Sequence, residues 1–243
     1  MIKKYELLKD EYIEYEGRIL YRLKALKAFG DIKLGDKGGY IETENNLSHD
    51  GDCWVHNKAK VYDRAEVFGD AHIYNQAEVY ENARICGKAL ICDNALIYGN
   101  AKITEQAKVY GQARVYDNSF IFERARIYDN ANIFGDAFVY GNANILVEAK
   151  IFGSARISKG NIIGQVSMEY KNIFQYRFTN NVLTAILNNN NNILYSIDCK
   201  NSITEEQFRE YICNGNIHLG EYESAKEYLS LIPLINSYFE GGK

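Results

Sequence analysis

A strict six-residue repeat fills the centre of this chain, from Cys53 to Gly160, without an insertion or a deletion. Its units read AKVYDR, AEVFGD, AHIYNQ, AEVYEN and onward to AKIFGS and ARISKG. Position one is Ala except at Cys53 and Ser119, and position three is always Val or Ile. Positions five and six are mostly Gly or polar turn-forming residues. This pattern places a small residue first, a β-branched residue third and a turn at the end. It is typical of a short strand whose positions one and three point inward.

A period of six is too short for helical repeats and predicts a parallel β-helix with three hexads in each triangular coil. Ala suits the narrow inner corner of such a coil, and a stiff β-branched side chain suits the centre of its wall. The hexads from Cys53 to Gly160 make six coils. Stacking them at about 4.8 Å gives a rod about 29 Å long.

These hexads resemble the left-handed β-helix of the hexapeptide-repeat superfamily, and the resemblance implies that the coil is left-handed. The segment before the hexads, with its GD, GGYIE, NLS and DG-CWV elements, resembles uncharacterised repeat proteins of bacteriophages and prophages, some of which are labelled transferases. This second resemblance covers roughly residues 12–240. It implies no established chemistry.

The segments on either side of the repeat predict two terminal modules. YIEYEGRILYRLKAL alternates around Glu16-Gly17 and predicts a β-hairpin that covers the open first coil. After Ile163-Gly164 the period stops. NIFQYRF, NVLTAIL and NILYSIDC then predict a three-stranded meander, with loops at Asn180-Asn181 and at the Asn run 188–192.

Two helices follow in the prediction. Ser202-Ile-Thr-Glu205 is a capping-box pattern that opens a helix through Tyr211. GEYESAKEYLSLIPLINSYF predicts a second helix that Pro233 kinks or divides. The second helix has an apolar stripe that includes Tyr228, Leu231, Ile232 and Ile235.

The fold class expected is therefore mainly β: a left-handed parallel β-helix of about six triangular coils, an N-terminal β-hairpin cap and a small C-terminal α+β module. The predicted domains are the cap and lead-in at 1–52, the β-helix at 53–164 and the C-terminal module at 165–243.

Composition and charge narrow the classes of partner. The start MIKKYELLKDEY has no apolar core and no apolar run approaches about 18 residues, so we expect neither a secretion signal nor a membrane span. The hexads carry 13 Lys and Arg against 12 Asp and Glu, which disfavours a nucleic-acid binder.

The five Cys lack paired metal-ligand spacing, which favours a reducing cytoplasm and predicts no metal site. Cys53 occupies an inward position of the repeat. Cys86 and Cys92 point outward on different walls, which argues against a disulfide between them.

With three hexads to a coil, the outward position four forms three vertical ladders. Stacked aromatic neighbours contribute about 0.5–1.5 kcal/mol per pair. The first ladder, named here the aromatic strip, is therefore either an internal stabilising feature or an adhesive face for a partner. The strip consists of Tyr62, Tyr80, Tyr98, Tyr116, Phe134 and Phe152. The second ladder is His56, Tyr74, Cys92, Tyr110, Tyr128 and Leu146, and the third is Phe68, Cys86, Thr104, Phe122, Tyr140 and Ser158.

Position two also points outward and is charged or polar in most hexads. Its large apolar exceptions include Leu90 and Leu96, on two different walls, and Phe120 and Phe138, one coil apart on the third wall. Self-association, a terminal module or a different protein partner would bury some of them. We take the aromatic strip together with Phe120 and Phe138 as the candidate binding residues.

An enzyme is the competing interpretation, because the hexapeptide-repeat superfamily contains many acyltransferases. Those enzymes typically use a His as general base in a cleft between subunits, with an acyl-carrier cofactor along the coils. The candidates here are His56 and His72, outward on one wall in adjacent coils; His49 and His218 lie outside the repeat. No loop interrupts the hexads to form a wall of such a cleft, and no phosphate loop or nucleophile elbow occurs. We predict no cofactor.

The sequence thus favours a rigid cytoplasmic rod that presents a surface and does not catalyse a reaction. The phage-like resemblance leads to the hypothesis of a protein that blocks or sequesters a host factor, such as an antiviral defence component, as anti-CRISPR proteins do. A protein partner is expected, with a second copy of the chain as the alternative. The competing functions are a hexapeptide-repeat acyltransferase and a structural assembly protein.

Overall fold

The structure, a computed structural model, describes residues 3–158, 161–163, 167–168, 173–177, 182–187, 192–197, 200–214 and 225–240. Strands β1 (Tyr5–Tyr15) and β2 (Arg18–Ala25) form an antiparallel hairpin. Glu16 and Gly17 make its two-residue turn with φ values of 49° and 74°, and two positive φ angles match the twist of the paired strands. The predicted hairpin is confirmed, and it starts at Tyr5.

Strand β3 (Lys37–Ile41) and a 3₁₀ helix at Glu44–Asn46 lead into the hexads, each of which contributes one short strand. These are β4 (Trp54–Val55), β5 (Lys60–Val61), β6 (Glu66–Val67), β7 (His72–Ile73), β8 (Glu78–Val79), β9 (Arg84–Ile85), β10 (Leu90–Ile91), β11 (Leu96–Ile97), β12 (Lys102–Ile103), β13 (Lys108–Val109), β14 (Arg114–Val115), β15 (Phe120–Ile121), β16 (Arg126–Ile127), β17 (Asn132–Ile133), β18 (Phe138–Val139), β19 (Asn144–Leu146), β20 (Lys150–Ile151) and β21 (Arg156–Ile157). Two further strands, β22 (Asn161–Ile163) and β23 (Ser167–Met168), follow them.

Every third strand pairs in parallel, so the strands form three walls. Wall one is a ten-stranded sheet in the order β1-β2-β3-β5-β8-β11-β14-β17-β20-β23, in which the hairpin extends the parallel part. Wall two is the seven-stranded sheet from β4 to β22, and wall three is the six-stranded sheet from β6 to β21. The predicted parallel, three-walled β-helix is confirmed. It has about seven turns, since β3, β22 and β23 add to the coils that the hexads make.

Between hexads, each strand residue pairs with the residue eighteen positions later, as Lys60 with Glu78. Strands β19 and β20 instead pair seventeen positions on, with β22 and β23. Within each coil the backbone N–H groups of positions two, four and six donate to the next coil. The N–H groups of Lys60 and Tyr62, for example, donate to the carbonyls of Ala77 and Val79 at 3.0 and 3.1 Å. These bonds hold successive coils in register, which places each outward side chain directly over its equivalent.

Position five turns the chain at each corner in the left-handed region, with φ of 56° at Asp63 and 68° at Gly99. Several acids at this position also bond to the next coil. Glu81 accepts from the N–H of Gly99 at 2.9 Å, and Asp117 accepts from the N–H of Gly135 at 3.0 Å. Gly, Asp, Asn and Glu therefore recur here because they either tolerate this φ or bond to a backbone N–H at the corner.

Positions one and three form the core. The Ala and the Val or Ile of every hexad are 0–1% exposed, as predicted, and Cys53 and Ser119 are equally buried. Cys86 and Cys92 are half-buried on walls three and two, and Cys53, Cys86, Cys92 and Cys213 are free thiols. Cys199 lies outside the described residues.

The C-terminal module is a four-stranded antiparallel sheet with two helices. Its strands are β24 (Ile173–Arg177), β25 (Val182–Leu187), β26 (Ile193–Ile197) and β27 (Lys200–Ile203), and its helices are α1 (Glu205–Cys213) and α2 (Ala225–Glu240). Ile186 belongs to the core of the coils, whereas the predicted stripe Tyr228, Leu231, Ile232 and Ile235 is buried in a second core.

Three expectations for this module need correction. The meander gains the fourth strand β27, because residues around Ser202 pair with β26 and do not cap a helix. The capping box is formed by Thr204 and Gln207, two residues further on. Helix α2 continues across Pro233, which is exposed, so a division of the helix at Pro233 is wrong and the kink stays a prediction. Asn180, Asn181, His218 and the Asn run at 188–191 lie outside the described residues, and the domain limits stay predictions.

Candidate recognition surface

The aromatic strip runs along wall one as a continuous stack of parallel rings. Neighbouring ring centroids are 4.8–5.1 Å apart, and the planes of neighbouring rings differ by only 1–8°. The cause is the register of the coils, which sets one ring directly over the next at the spacing of the strands. The ring faces therefore cover one another, and the ring edges and the phenol groups point away from the stack.

Burial within the strip changes the chemistry of its phenols. Burial, and after it the neighbouring phenol, raises the pKa of Tyr80 and of Tyr98, and burial also raises the pKa of Tyr116. These hydroxyls therefore stay protonated at neutral and moderately alkaline pH. They can donate hydrogen bonds to a ligand, and they carry no negative charge that would repel an acidic one.

The tip of the β1–β2 hairpin covers the first ring of the strip. The Tyr15 ring meets the Tyr62 ring edge-on, with centroids 5.9 Å apart, and the Arg18 guanidinium lies 5.6 Å from the same ring. Tyr62 is only 1% exposed as a result. The other five rings are half-buried, so the part of the strip that solvent reaches runs from Tyr80 to Phe152.

Lys60 belongs to the same hairpin contact. Its Nζ lies 2.9 Å from Glu78 Oε1 and 4.4 Å from the centre of the Tyr15 ring, and its side chain is 15% exposed. Arg18 forms an ion pair with Asp63 and lies 3.8 Å from a carboxylate oxygen of Glu42. Sequence reasoning missed this contact, because no local pattern links Tyr15 or Arg18 to hexads that lie more than forty residues away.

Phe120 and Phe138, the other candidate binding residues, lie together on wall three. Their strands pair directly, and their rings meet edge-on at 6.0 Å. Phe120 also contacts Phe122 at 4.7 Å, and the Arg156 guanidinium lies 4.9 Å from the Phe138 ring. The two Phe side chains are half-buried by this cluster, which makes the patch smaller and less continuous than the strip on wall one.

The catalytic candidates His56 and His72 are brought together on wall two. His56 Nε2 lies 2.9 Å from His72 Nδ1, and the His56 ring stacks on Tyr74 at 3.8 Å. Burial and then His72 lower the pKa of His56 to about 4, and burial lowers the pKa of His72. Both rings are neutral at pH 7. A base with a pKa near 4 is poorly matched to general-base catalysis at that pH.

His49 lies at the N-terminal end of the rod in a structural contact. Its ring stacks on Tyr5 at 4.3 Å, and its Nδ1 accepts the backbone N–H of Lys4 at 3.2 Å. Lys4 is fully buried, and its Nζ donates to the carbonyl oxygens of Gly51 and Cys53 at 3.1 and 3.0 Å. These contacts satisfy carbonyl groups at the open end of the first coil.

The described residues offer little enclosed space for a small molecule. One groove of about 310 Å³ lies beside Leu47, His49, Phe68 and Arg84, and another of about 290 Å³ lies beside Glu105, Glu123 and Arg124. In the described part of the chain, no group of three His, Cys, Asp or Glu side chains could hold a metal ion. Neither described helix is long and apolar enough to cross a membrane.

Among the side chains that the structure describes, the aromatic strip is the longest continuous stack of rings, and it has the chemistry of a binding surface. Comparison of the sequence with protein-family models finds no matching family, and comparison with curated proteins finds no matching relative.

Proposed function

We propose that this protein is a non-enzymatic, protein-binding rod that holds a partner along wall one. The accessible strip from Tyr80 to Phe152 carries the proposal, since it combines large aromatic area with side chains that have few rotatable bonds. Aromatic residues of this kind dominate the binding energy of protein interfaces. The strip needs no reordering to bind, because the coils and the ring stack already fix it.

The biological setting belongs to the same proposal. The parallel coils with eighteen-residue turns support a relationship to the left-handed hexapeptide-repeat superfamily. The lead-in segment resembles phage and prophage proteins. We propose that the rod acts in the host cytoplasm and blocks or sequesters a host factor, such as an antiviral defence component.

A site-specific photo-crosslinker tests the binding face. It replaces Leu96 on wall one or, as the matched control, Leu90 on wall two; both are half-buried residues at position two. In host lysate, the Leu96 variant should crosslink to one specific protein and the Leu90 variant should not. Equal crosslinking from both positions, or none from Leu96, would contradict the proposal.

The alternatives predict other results. A hexapeptide-repeat acyltransferase would consume acetyl-CoA with a suitable amine and would lose about 10²–10⁴-fold in rate when His56 or His72 is replaced by Ala. A structural assembly protein would form large complexes of its own chain, which mass measurement in solution detects. His56 and His72 bond to each other, and burial lowers the pKa of both rings, which suits neither to act as a general base near pH 7. The binding function is therefore favoured over the enzyme.

A further inference from the structure

The net charge of the hexads is near zero, but their acidic and basic side chains occupy different places in the coil. From β9 onward, position two, which points out from the walls, contains no Asp or Glu. The acids in this part of the repeat all occupy positions five and six, at the corners. The cations at position two are Arg84, Lys102, Lys108, Arg114, Arg126, Lys150 and Arg156, and the acids at the corners are Asp93, Glu105, Asp117, Glu123, Asp129, Asp136 and Glu148. The corners also carry the cations Lys88, Arg124 and Lys159.

Wall one has two of these cations beside the accessible strip. Arg114 and Lys150 are exposed, and the strands that carry them, β14 and β20, both pair with β17. The two side chains are therefore about 10 Å apart along the rod. Among the residues that the structure describes, neither forms an ion pair. Arg114 is close enough to the strip to lower the pKa of Tyr98 and Tyr116. Burial and then the corner residue Asp117 raise the pKa of Tyr116 by more than Arg114 lowers it.

The acids near wall one already have partners. Glu78, at position two of β8, accepts from Tyr15 and Tyr62 and pairs with Lys60. At the corner next to the strip, Glu81 and Asp117 accept backbone N–H groups of the following coil. Between the corners, the accessible part of wall one therefore presents aromatic rings with Arg114 and Lys150, while the carboxylates of Glu81 and Asp117 are held against the backbone at the corner.

The orientation of the rings adds to this positive character. An aromatic ring is negative on its faces and positive at its edge. In the strip the faces cover one another, so the edges and the protonated phenols are left for a ligand. Carboxylates fit such a surface, and apolar side chains fit the groove beside the rings. Nucleic-acid bases, by contrast, stack on free ring faces, which the strip does not offer.

We propose that wall one binds an acidic, apolar segment of a partner protein. Its apolar side chains lie along the strip from Tyr80 to Phe152, and its carboxylates reach Arg114 and Lys150. The inference rests on the proposed function and adds the chemical class of the partner. Wall two also has two cations, Lys108 and Arg126, on directly paired strands, but Cys92 and Leu146 limit the ring stack between them to Tyr110 and Tyr128.

A binding assay with a defined probe tests this. The probe is a short fluorescein-labelled peptide of alternating Glu and Leu, and fluorescence anisotropy measures its binding. An oligothymidylate of equal length serves as the competing polyanion. We expect the full chain to bind the peptide more tightly than the oligothymidylate. The double variant Arg114→Glu/Lys150→Glu should weaken peptide binding at least tenfold, about 1.4 kcal/mol.

The matched control is Lys108→Glu/Arg126→Glu, which makes the same change in charge on wall two and should alter peptide binding by less than about threefold. If Arg114→Glu/Lys150→Glu fails to fold, the milder variant Arg114→Gln/Lys150→Gln replaces it in the assay. Equal weakening by the two walls, no peptide binding, or tighter binding of the oligothymidylate would overturn the inference. If the partner that crosslinks at Leu96 contacts wall one through a basic segment, only this inference is overturned. If no protein crosslinks specifically at Leu96, the proposed function is overturned.

Discussion

The hydroxyl of Tyr15 donates to both carboxylate oxygens of Glu78, at 2.8 and 3.0 Å, although 63 residues separate them in the chain. Tyr15 ends β1, whereas Glu78 belongs to β8 in the hexads. The bond therefore fastens the tip of the N-terminal hairpin across the first strands of wall one. Burial and the hydrogen bond to Glu78 raise the pKa of Tyr15 to about 12, so the phenol remains a donor throughout the physiological range.

Removing this donor should loosen the hairpin tip. We expect Tyr15→Phe to lower the free energy of unfolding by about 1–2 kcal/mol, because a hydrogen bond to a charged and mostly buried carboxylate is lost. Tyr12→Phe is the matched control, since Tyr12 lies on the same strand and is 52% exposed. Denaturant unfolding measures both variants. Equal midpoints for the two would show that the bond contributes nothing to stability.

The coil interior gives a second prediction. Ala95 and Ala113 are completely buried at position one, where the three walls meet closely. Ala95→Leu and Ala113→Leu should each destabilise the fold by at least about 1–3 kcal/mol through overpacking. Lys102→Leu, at an exposed outward position, should cost little. If the interior and outward variants unfolded at the same denaturant concentration, the register of the hexads would be wrong.

The walls could be predicted from the sequence because their cause is local. Each hexad carries its own strand, corner and inward pair, so the repeat alone determines the register and the positions of the aromatic strip. The coil before the hexads lacks this pattern. In β3, Gly38 is required because a Cβ there would lie 2.6 Å from the carbonyl oxygen of Val55. A close approach of this kind depends on tertiary packing and leaves no periodic signal.

The contact between the hairpin tip and the hexads also depends on tertiary packing and could not be predicted from the repeat. Lys60 occupies an outward hexad position, and its position predicts an exposed charge at the rim of the rod. In the structure Tyr15 and Glu78 cover it. Likewise Tyr62 looks equivalent to Tyr80 in the repeat, but only Tyr62 lies under the hairpin. Contacts between distant segments decided which part of a regular surface stays accessible.

The histidine pair predicts a pH dependence of stability. Folding lowers the pKa of His56 from 6.5 to about 4. Between these values the unfolded chain binds more protons than the folded one, so the free energy of unfolding should fall as the pH drops from 6.5 to 4. Below pH 4 this group should cause no further loss. For a partly exposed side chain, we expect a loss on the order of 1–2 kcal/mol after allowing for solvent screening.

His56→Phe isolates this contribution from the carboxylates that also titrate. Phe keeps a ring to stack on Tyr74 but cannot bind a proton. The free energy of unfolding, measured from pH 7.5 to 4, should fall less steeply in the variant than in the unmodified chain. Parallel curves for the two proteins would show that His56 does not resist protonation in the folded state.

Two tyrosines at the centre of the strip distinguish a recognition surface from a stabilising stack. Tyr98 and Tyr116 stack at 4.8 Å and 1° on wall one, and Tyr110 and Tyr128 stack at 4.9 Å and 1° on wall two. Tyr98→Ser/Tyr116→Ser removes three ring stacks, because Tyr98 also stacks on Tyr80 and Tyr116 on Phe134, whereas Tyr110→Ser/Tyr128→Ser removes one. Both variants should destabilise folding, by about 0.5–1.5 kcal/mol for each lost stack and more for the lost burial, and the wall-one variant should lose more.

Only the wall-one variant should lose affinity for the partner that crosslinks at Leu96, by at least about tenfold, because truncation of a Tyr at the centre of an interface costs about 2 kcal/mol or more when it is a hot spot. Unfolding curves and the affinity for the crosslinked partner are measured on the same preparations, so that a loss of folded protein is separated from a loss of binding. If the wall-one variant kept full affinity, the strip would act only within the fold. The binding face would then lie on the Phe120 and Phe138 side of wall three or in a terminal module.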